Sequence, residues 1–474
     1  MKNNLFNALI GGFALFCLTA GGFYFWTQNS SLGSHIFRDT QSQKGKSKKL
    51  DNRTLQLGVA TDTSTTVPNE PSALFNDPAI KQAWGLKKAD AGRAWSISRG
   101  SKKVIVAVID TGVDVNHEDL HRNLWRNPGE SGLDASGHDK ANNGIDDDGN
   151  GFIDDVYGWN FVSNNNHLDD NHGHGTHIAG IIGAEAGNGK GISGIAPDVS
   201  LMILKYYDPK VPNTDNLKNT IQAMQYAVKM GAHIINYSGG GTEYSQEEHD
   251  AVEAAEKKGI LFVAAAGNER SNSDEHHYYP ADYHLKNIIS VTAIDPTSEV
   301  LSSSNYGTNS VDIAAPGQSI LSCLPNNTYG LMTGTSQATA FVTGAAVLVM
   351  AEKNLYNNAQ EVKNFILATG DSSQSLLNKT RTSRQLNLFK ALTILEKTTA
   401  FSGTNFVDNI DRGAFSSKSA DAVDPNVGRN EKDIDKIAGF GRDLVKVMNQ
   451  KNTLKKQKPT AERLGTKPTD PNEN

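Results

Sequence analysis

From Leu74 to about Lys397, apolar runs of strand length alternate with amphipathic stretches of helical length. Val104 to Ile109 is a β-branched run with no polar alternation, and Leu201 to Leu204, Ile234 to Asn236, Ile260 to Ala265 and Ile288 to Val291 are similar. A run that is apolar at nearly every position suits a strand covered on both faces. Between these runs, Leu217 to Met230 and Glu247 to Lys258 carry apolar residues at helical spacing, and each is closed by a glycine, Gly231 or Gly259. Glycine is the residue that most readily takes the left-handed turn after a helix. Repetition of strand, helix, strand predicts an α/β fold of three layers: a mostly parallel central sheet with helices on both faces.

The flanks of this body read differently. Leu5 to Trp26 is apolar apart from Asn7 and Thr19 and carries no charge. About 20 apolar residues span the hydrocarbon core of a bilayer, so residues 1–26 are a signal peptide or an uncleaved membrane anchor. Ala20, Gly21 and Gly22 offer small residues for cleavage, whereas Phe23 to Trp26 resembles an interfacial aromatic belt, so both outcomes stay open. Either one places the body outside the cytoplasm, secreted or tethered through this segment. Residues 27–73 are rich in Ser, Thr, Asn, Gln and Lys with no sustained apolar period, which predicts a polar linker. The α/β body is assigned to 74–399. A polar extension follows at 400–474, in which Ile434, Ile437, Gly441, Leu444, Val445 and Met448 share one helical face ahead of a polar end.

Composition narrows the function. The 474 residues, 37% hydrophobic and 21% charged, can bury a large core, and the net charge of -6 argues against a nucleic-acid partner. The two cysteines, Cys17 in the apolar segment and Cys323 in the body, rule out a disulfide framework. Stability must come from packing, with bound metal as a further source that composition leaves open.

Three glycine-flanked fragments carry the chemistry: Val108-Ile109-Asp110-Thr111-Gly112, Asn171-His172-Gly173-His174-Gly175-Thr176-His177 and Thr333-Gly334-Thr335-Ser336. They supply a carboxylate, an imidazole and a hydroxyl. A serine hydroxyl needs a base within hydrogen-bond reach to become a nucleophile, histidine can take that proton near neutral pH, and a carboxylate behind the ring fixes its tautomer. Asp110 would end a buried strand, and Ser336 would open the apolar helix Ala338 to Met350. Alone, an Asp-Thr-Gly after a strand also fits an aspartic protease, and a histidine beside glycine fits an ordinary turn. A fourth fragment, Phe262 to Asn268, places an amide just beyond a strand. There Asn268 and the Ser336 N–H could meet a negatively charged carbonyl oxygen.

Together these stretches resemble the subtilisin-like serine proteases of the subtilase family, from roughly Leu74 to Lys397. The resemblance implies a serine endopeptidase in which Asp110 orients, His174 is the base, Ser336 attacks and Asn268 stabilises the oxyanion. It also implies that Ser238 and Gly240 pair with an extended polypeptide substrate, with Ala265 and Gly267 forming the opposite wall of the main specificity pocket. These glycine-lined walls predict an open pocket. The chain departs from the family at Ala340, where proline is usual, and in lacking an apolar pattern for a folded propeptide. Those departures motivate the competing reading, a catalytically silent binding scaffold.

A long connection between Asp110 and His174 holds Asn142-Asn143-Gly144-Ile145-Asp146-Asp147-Asp148-Gly149-Asn150-Gly151, then Asp154 and Asp155. Asp146, Asp148 and Asn150 with Gly151 reproduce the first half of an EF-hand loop, which predicts structural Ca²⁺, with Asp154 or Asp155 closing the shell because Tyr157 stands where the usual Glu would be. The family resemblance implies a second calcium site at Asp119 and Asn188.

Overall fold

The structure, a computed structural model, describes residues 69–393. The segment 1–26, nearly all of the linker and the extension 400–474 with its expected helix lie outside the described residues. Pro71–Ala73 forms a short 3-10 turn whose start lies against Gly92, where an added Cβ would sit 2.8 Å from the Glu70 nitrogen. Two short helices, α1 (Trp84–Lys88) and α2 (Ala91–Ala94), follow.

The strands are β1 (Gly100–Asp110), β2 (Gly158–Asn160), β3 (Asp198–Lys205), β4 (Ile234–Tyr237), β5 (Leu261–Ala265), β6 (Ile288–Ile294), β7 (Ile313–Pro316), β8 (Ile320–Leu324), β9 (Thr328–Met332), β10 (Asp371–Ser372) and β11 (Arg384–Gln385). Nine of them make one sheet in the order β10-β11-β7-β6-β5-β4-β1-β3-β2, while β8 and β9 form a separate antiparallel hairpin. Every pairing in the large sheet is parallel except β10 with β11. Parallel strands require crossovers, and those leading into β3, β4 and β5 carry α3 (His174–Gly183), α4 (Asn216–Lys229) and α5 (Gln246–Lys257). Within the described residues the expected strands and helices are present, displaced by a few residues at their ends.

The alternation along β1 explains the layers. Val104, Val106 and Val108 join one core with Ile178, Ile182 and Val342, whereas Ala107 and Ile109 join another with Met224, Tyr226 and Val252. Successive side chains on a strand face opposite ways, so a run that is wholly apolar feeds two cores at once. Helices α4 and α5 cover one face. The other carries α3 and α6 (Thr335–Lys353), the latter buried along Thr335 to Met350. Such all-round burial suits an apolar helix lying beneath the sheet rather than at its rim. Helices α7 (Ala359–Thr369) and α8 (Leu388–Thr393) complete the described residues. Asp215, Ser245 and Asn358 cap α4, α5 and α7 by accepting backbone N–H groups.

This order reverses at β1. Going by sequence, the chain adds β3 on one side of β1 and β4 on the other. The carboxyl ends of strands beside such a switch point open a crevice between diverging loops. Asp110 ends β1 there, and Ser238 follows directly after β4.

Candidate functional site

The crevice is a cleft lined by Asp110, His174, Ser238, Asn268 and Ser336. Asp110 is buried, accepts the Thr111 N–H at 2.8 Å, and lies 2.7 Å from His174 Nδ1 through the same oxygen. The ring can come that close because α3 starts at His174 and is followed by Gly175, where a Cβ would meet the Gly112 carbonyl at 2.1 Å. Glycine is required at this contact.

The loop that presents His174 is held by Asp170, a residue the motif reading missed. This buried carboxylate accepts the N–H groups of His172, Gly173 and Thr176 at 3.0, 2.7 and 2.8 Å and the hydroxyls of Thr111 and Thr176 at 2.8 and 2.7 Å. It serves the N-terminus of α3, where the N-cap itself is Gly173 and contributes no side-chain bond. An aspartate four residues before the helix was the available signal. Thr111 completes the link by accepting the Gly175 N–H at 2.9 Å.

The three histidines of the motif have separate electrostatic fates. At His174, burial disfavours the charged ring, but the Asp110 carboxylate outweighs it and the pKa lies above its ordinary 6.5. Burial and then the neighbouring His174 push His172 down. His177 is pushed down to about 3 by burial, and its Nε2 lies 3.0 and 3.1 Å from the Ile320 and Gly330 carbonyls. His177 is therefore a neutral ring tying α3 to the hairpin β8–β9. Of the three rings, only His174 is shifted upward.

Ser336 occupies the second position of α6 and donates its hydroxyl to the Ser238 carbonyl at 3.1 Å. It borders the same cleft as His174, and rotation of one side-chain torsion frees it from Ser238. Catalytic hydrogen bonds are commonly slack until substrate arrives. Ser238 is fixed in turn: Asn236 Nδ2 donates to its hydroxyl at 3.2 Å, and Asn236 Oδ1 accepts from Thr343 on α6 at 2.8 Å. Helix α6 runs unbroken past Ala340, in keeping with alanine in place of proline.

Asn268 Oδ1 accepts both the N–H and the hydroxyl of Thr335, at 3.0 and 3.2 Å. Because the Thr335 N–H can only donate, the amide orientation is determined, and Nδ2 is the group turned to the cleft.

The expected open pocket needs correction. Between the Gly240 and Gly267 walls stands the ring of Tyr278, only 7% exposed. Glycine walls alone read as empty space, but the space belongs to a side chain from a third segment. Glu269 also reaches this region, its carboxyl pushed up by burial and partly relieved by the Asn305 amide at 2.8 Å.

The acidic loop is the second candidate centre. Glu130, Asp146 and Asp148 each turn one carboxylate oxygen to within 4.8 Å of the others. Backbone N–H groups of Asn150 and Gly151 donate to Asp146, and that of Asn150 also to Asp148, as an EF-hand-like turn requires. At Asp146 the loss of water opposes the charge, but these donors together outweigh it and hold the carboxyl below its usual range. Glu130 is wholly buried, accepts the Asp147 N–H through Oε1 at 2.8 Å, and its Oε2 has no hydrogen-bond partner. Burial pushes its pKa up, with repulsion from Asp155 and Asp148 adding to the effect.

The expected closing ligands are corrected here. Asp155 turns inward to accept Asn127 and Asn150 amides at 2.6 and 2.9 Å and the Tyr226 hydroxyl, and Asp154 accepts the Gly144 N–H at 3.1 Å. Asn150 is engaged by Asp155 and by the Phe152 N–H at 2.7 Å. Glu130, sixteen residues upstream of Asp146, brings a glutamate carboxylate beside Asp146 and Asp148. The pair Asp119 and Asn188 does meet, at 2.7 Å, but Asp119 is also satisfied by the Ile192 N–H and the Tyr329 hydroxyl, each at 3.0 Å. That is a closed hydrogen-bonded contact.

Residues 101–393, more than half of the chain, match the profile of the Subtilase family. The thermophilic serine proteinase of Bacillus sp. (strain AK1) is 34% identical over 309 residues, 64% of this chain and 67% of that protein. Thermitase of Thermoactinomyces vulgaris is 34% identical over 284 residues, 60% of this chain and 88% of the relative. Subtilisin-like protease 2 of Plasmodium falciparum (isolate 3D7) is 33% identical over 294 residues, 60% of this chain but only 20% of that longer protein. A solved protease structure from Pseudoalteromonas arctica superposes with a TM-score of 0.52 at 24% identity, covering 67% of this chain and 98% of that one, which shows the shared fold. The chain belongs to the subtilase family and is a subtilisin-like serine endopeptidase.

Proposed function

We propose that this endopeptidase cleaves extended polypeptides through an acyl-enzyme formed on Ser336. The observation that carries the reading is the Asp110–His174 contact of 2.7 Å on a cleft that Ser336 and Asn268 also line. His174 Nε2 takes the Ser336 hydroxyl proton as Oγ bonds to the peptide carbonyl carbon. The oxygen becomes an anion and is met by Asn268 Nδ2 and the Ser336 N–H. His174 returns the proton to the leaving amine, the C–N bond breaks, and water repeats the sequence to release the acid. Backbone beyond β4 at Ser238 to Gly240 offers main-chain pairing to the substrate. The silent-scaffold reading is disfavoured because no member of the set is missing.

Structural Ca²⁺ belongs to the same proposal, held by Glu130, Asp146 and Asp148. The unpartnered, buried Glu130 Oε2 fits a cation, since oxygen ligands are what calcium takes and an unpaired buried carboxylate is otherwise costly. It would neutralise the loop between β1 and α3. The apolar stretch Leu5 to Trp26 supports an extracytoplasmic location, secreted or membrane-anchored.

A fluorophosphonate probe tests the reading. Labelling of Ser336 in the wild type, lost in Ser336→Ala and His174→Ala, is expected; a folded protein that resists the probe and cleaves no peptide would overturn it.

A further inference from the structure

We infer that Tyr278 closes the main specificity pocket and restricts the enzyme to a small side chain, such as alanine, glycine or serine, on the acyl side of the scissile bond. The inference rests on the endopeptidase reading above. A Cβ added at Gly240 would lie 2.5 Å from Tyr278 Cε1 and 3.0 Å from Cζ, and one at Gly267 would lie 3.0 Å from Cδ2. One ring therefore touches both walls, edge to edge.

The ring is held in place by its backbone. The Tyr278 N–H donates to Asp282 Oδ2 at 2.9 Å, and its carbonyl accepts the Asp282 N–H at 3.1 Å. Tyr279, the next residue, exchanges two hydrogen bonds with Gly241, at 2.7 and 2.9 Å, which ties the segment to the Gly240 wall. A substrate side chain entering between the walls meets the ring, which lines the cleft beside Ser238, Asn268 and Ser336. A large group must expel Tyr278, which is nearly fully buried, into a packed surrounding. Pocket contacts of one or two methylenes change specificity by about 10- to 200-fold, so an aromatic ring filling the site has ample effect.

The experiment compares kcat/KM for two peptides that differ only in the residue on the acyl side, alanine or phenylalanine. The wild type is expected to favour alanine by about 10-fold or more. Tyr278→Gly is expected to raise the phenylalanine-to-alanine ratio by at least about 10-fold, whereas Tyr278→Phe, which keeps the ring, leaves the ratio as in the wild type. Equal or better cleavage of the phenylalanine peptide by the wild type overturns the inference alone, and that result needs no variant to fold. An unchanged ratio in a Tyr278→Gly enzyme that still labels at Ser336 overturns it too. Inertness to both peptides and to the probe would overturn the endopeptidase reading, and this inference with it.

Discussion

The cleft and the acidic loop both gather carboxylates, and they settle the charge by opposite means. In the cleft, Asp110 and Asp170 are met by protein donors: one at a single oxygen by Thr111 and His174, the other by five N–H and O–H groups. In the loop, Glu130, Asp146 and Asp148 face one another, with Glu130 Oε2 buried and unpartnered. A site made to pass a proton needs its base oriented by protein groups before substrate arrives. A site made to bind an ion leaves part of its charge to be met from outside. On the calcium proposal, carboxylates thus serve preorganisation in one region and would serve ligand-dependent stability in the other.

Changes in the cleft should abolish turnover while leaving the fold intact. Ser336→Ala is expected to lower kcat by about 10⁶, as in subtilisin, with a melting temperature close to that of the wild type. Asn268→Ala should cost about 10²–10³ in kcat with little change in KM, the known cost of losing the matching donor in subtilisin. A rise in KM at constant kcat would instead assign Asn268 to ground-state binding and break its proposed role.

The pH profile sharpens the contrast further. His174 must be neutral to accept a proton, and its pKa lies above 6.5. Peptidase activity is therefore expected to fall as pH drops through a midpoint above that value. Asp110→Asn removes the charge that outweighs burial, so the residual activity, lower by about 10⁴, should show its acid midpoint shifted down. An unmoved midpoint would separate the acid limb from His174. The linkage has a definite sign: the charged pair stabilises the fold fully below the unfolded histidine pKa, and that contribution fades as pH rises through the raised one.

The two regions also differ in how much of them the sequence reveals. The sheet was legible because β1, β3, β4, β5 and β6 are apolar at consecutive positions, and the triad because each member sits in a glycine-marked turn at an element's end. What escaped depends on contacts between segments far apart in the chain. Tyr278 fills a pocket whose walls, read one at a time, are bare glycine. Asp170 acts through hydrogen bonds that exist only once Thr111 and α3 are adjacent, and β10 and β11 are too short to leave an apolar period. Glu130 is remote from the loop it completes.

Chelation gives the smaller effect and tests the other side of the comparison. Removing an ion that binds only the folded state costs about 2.7 kcal/mol when that ion was present at 100 times its Kd, and each kcal/mol is worth roughly 2–4 °C in a domain of moderate size. A chelator should therefore lower the melting temperature by several degrees without touching the Asp110–His174 contact. Glu130→Gln should lower it in the absence of chelator and shrink the further loss on chelation. Asp154→Asn is the control that separates the two ligand sets. Its carboxylate serves the Gly144 N–H at the surface, an oxygen that asparagine retains, so the change should stay within about 0.5 kcal/mol and leave the chelator response whole. If Asp154→Asn instead removed the response while Glu130→Gln kept it, the ion would be closed by the local loop as the sequence pattern implied, and the buried glutamate would have to be explained as a neutral, protonated acid.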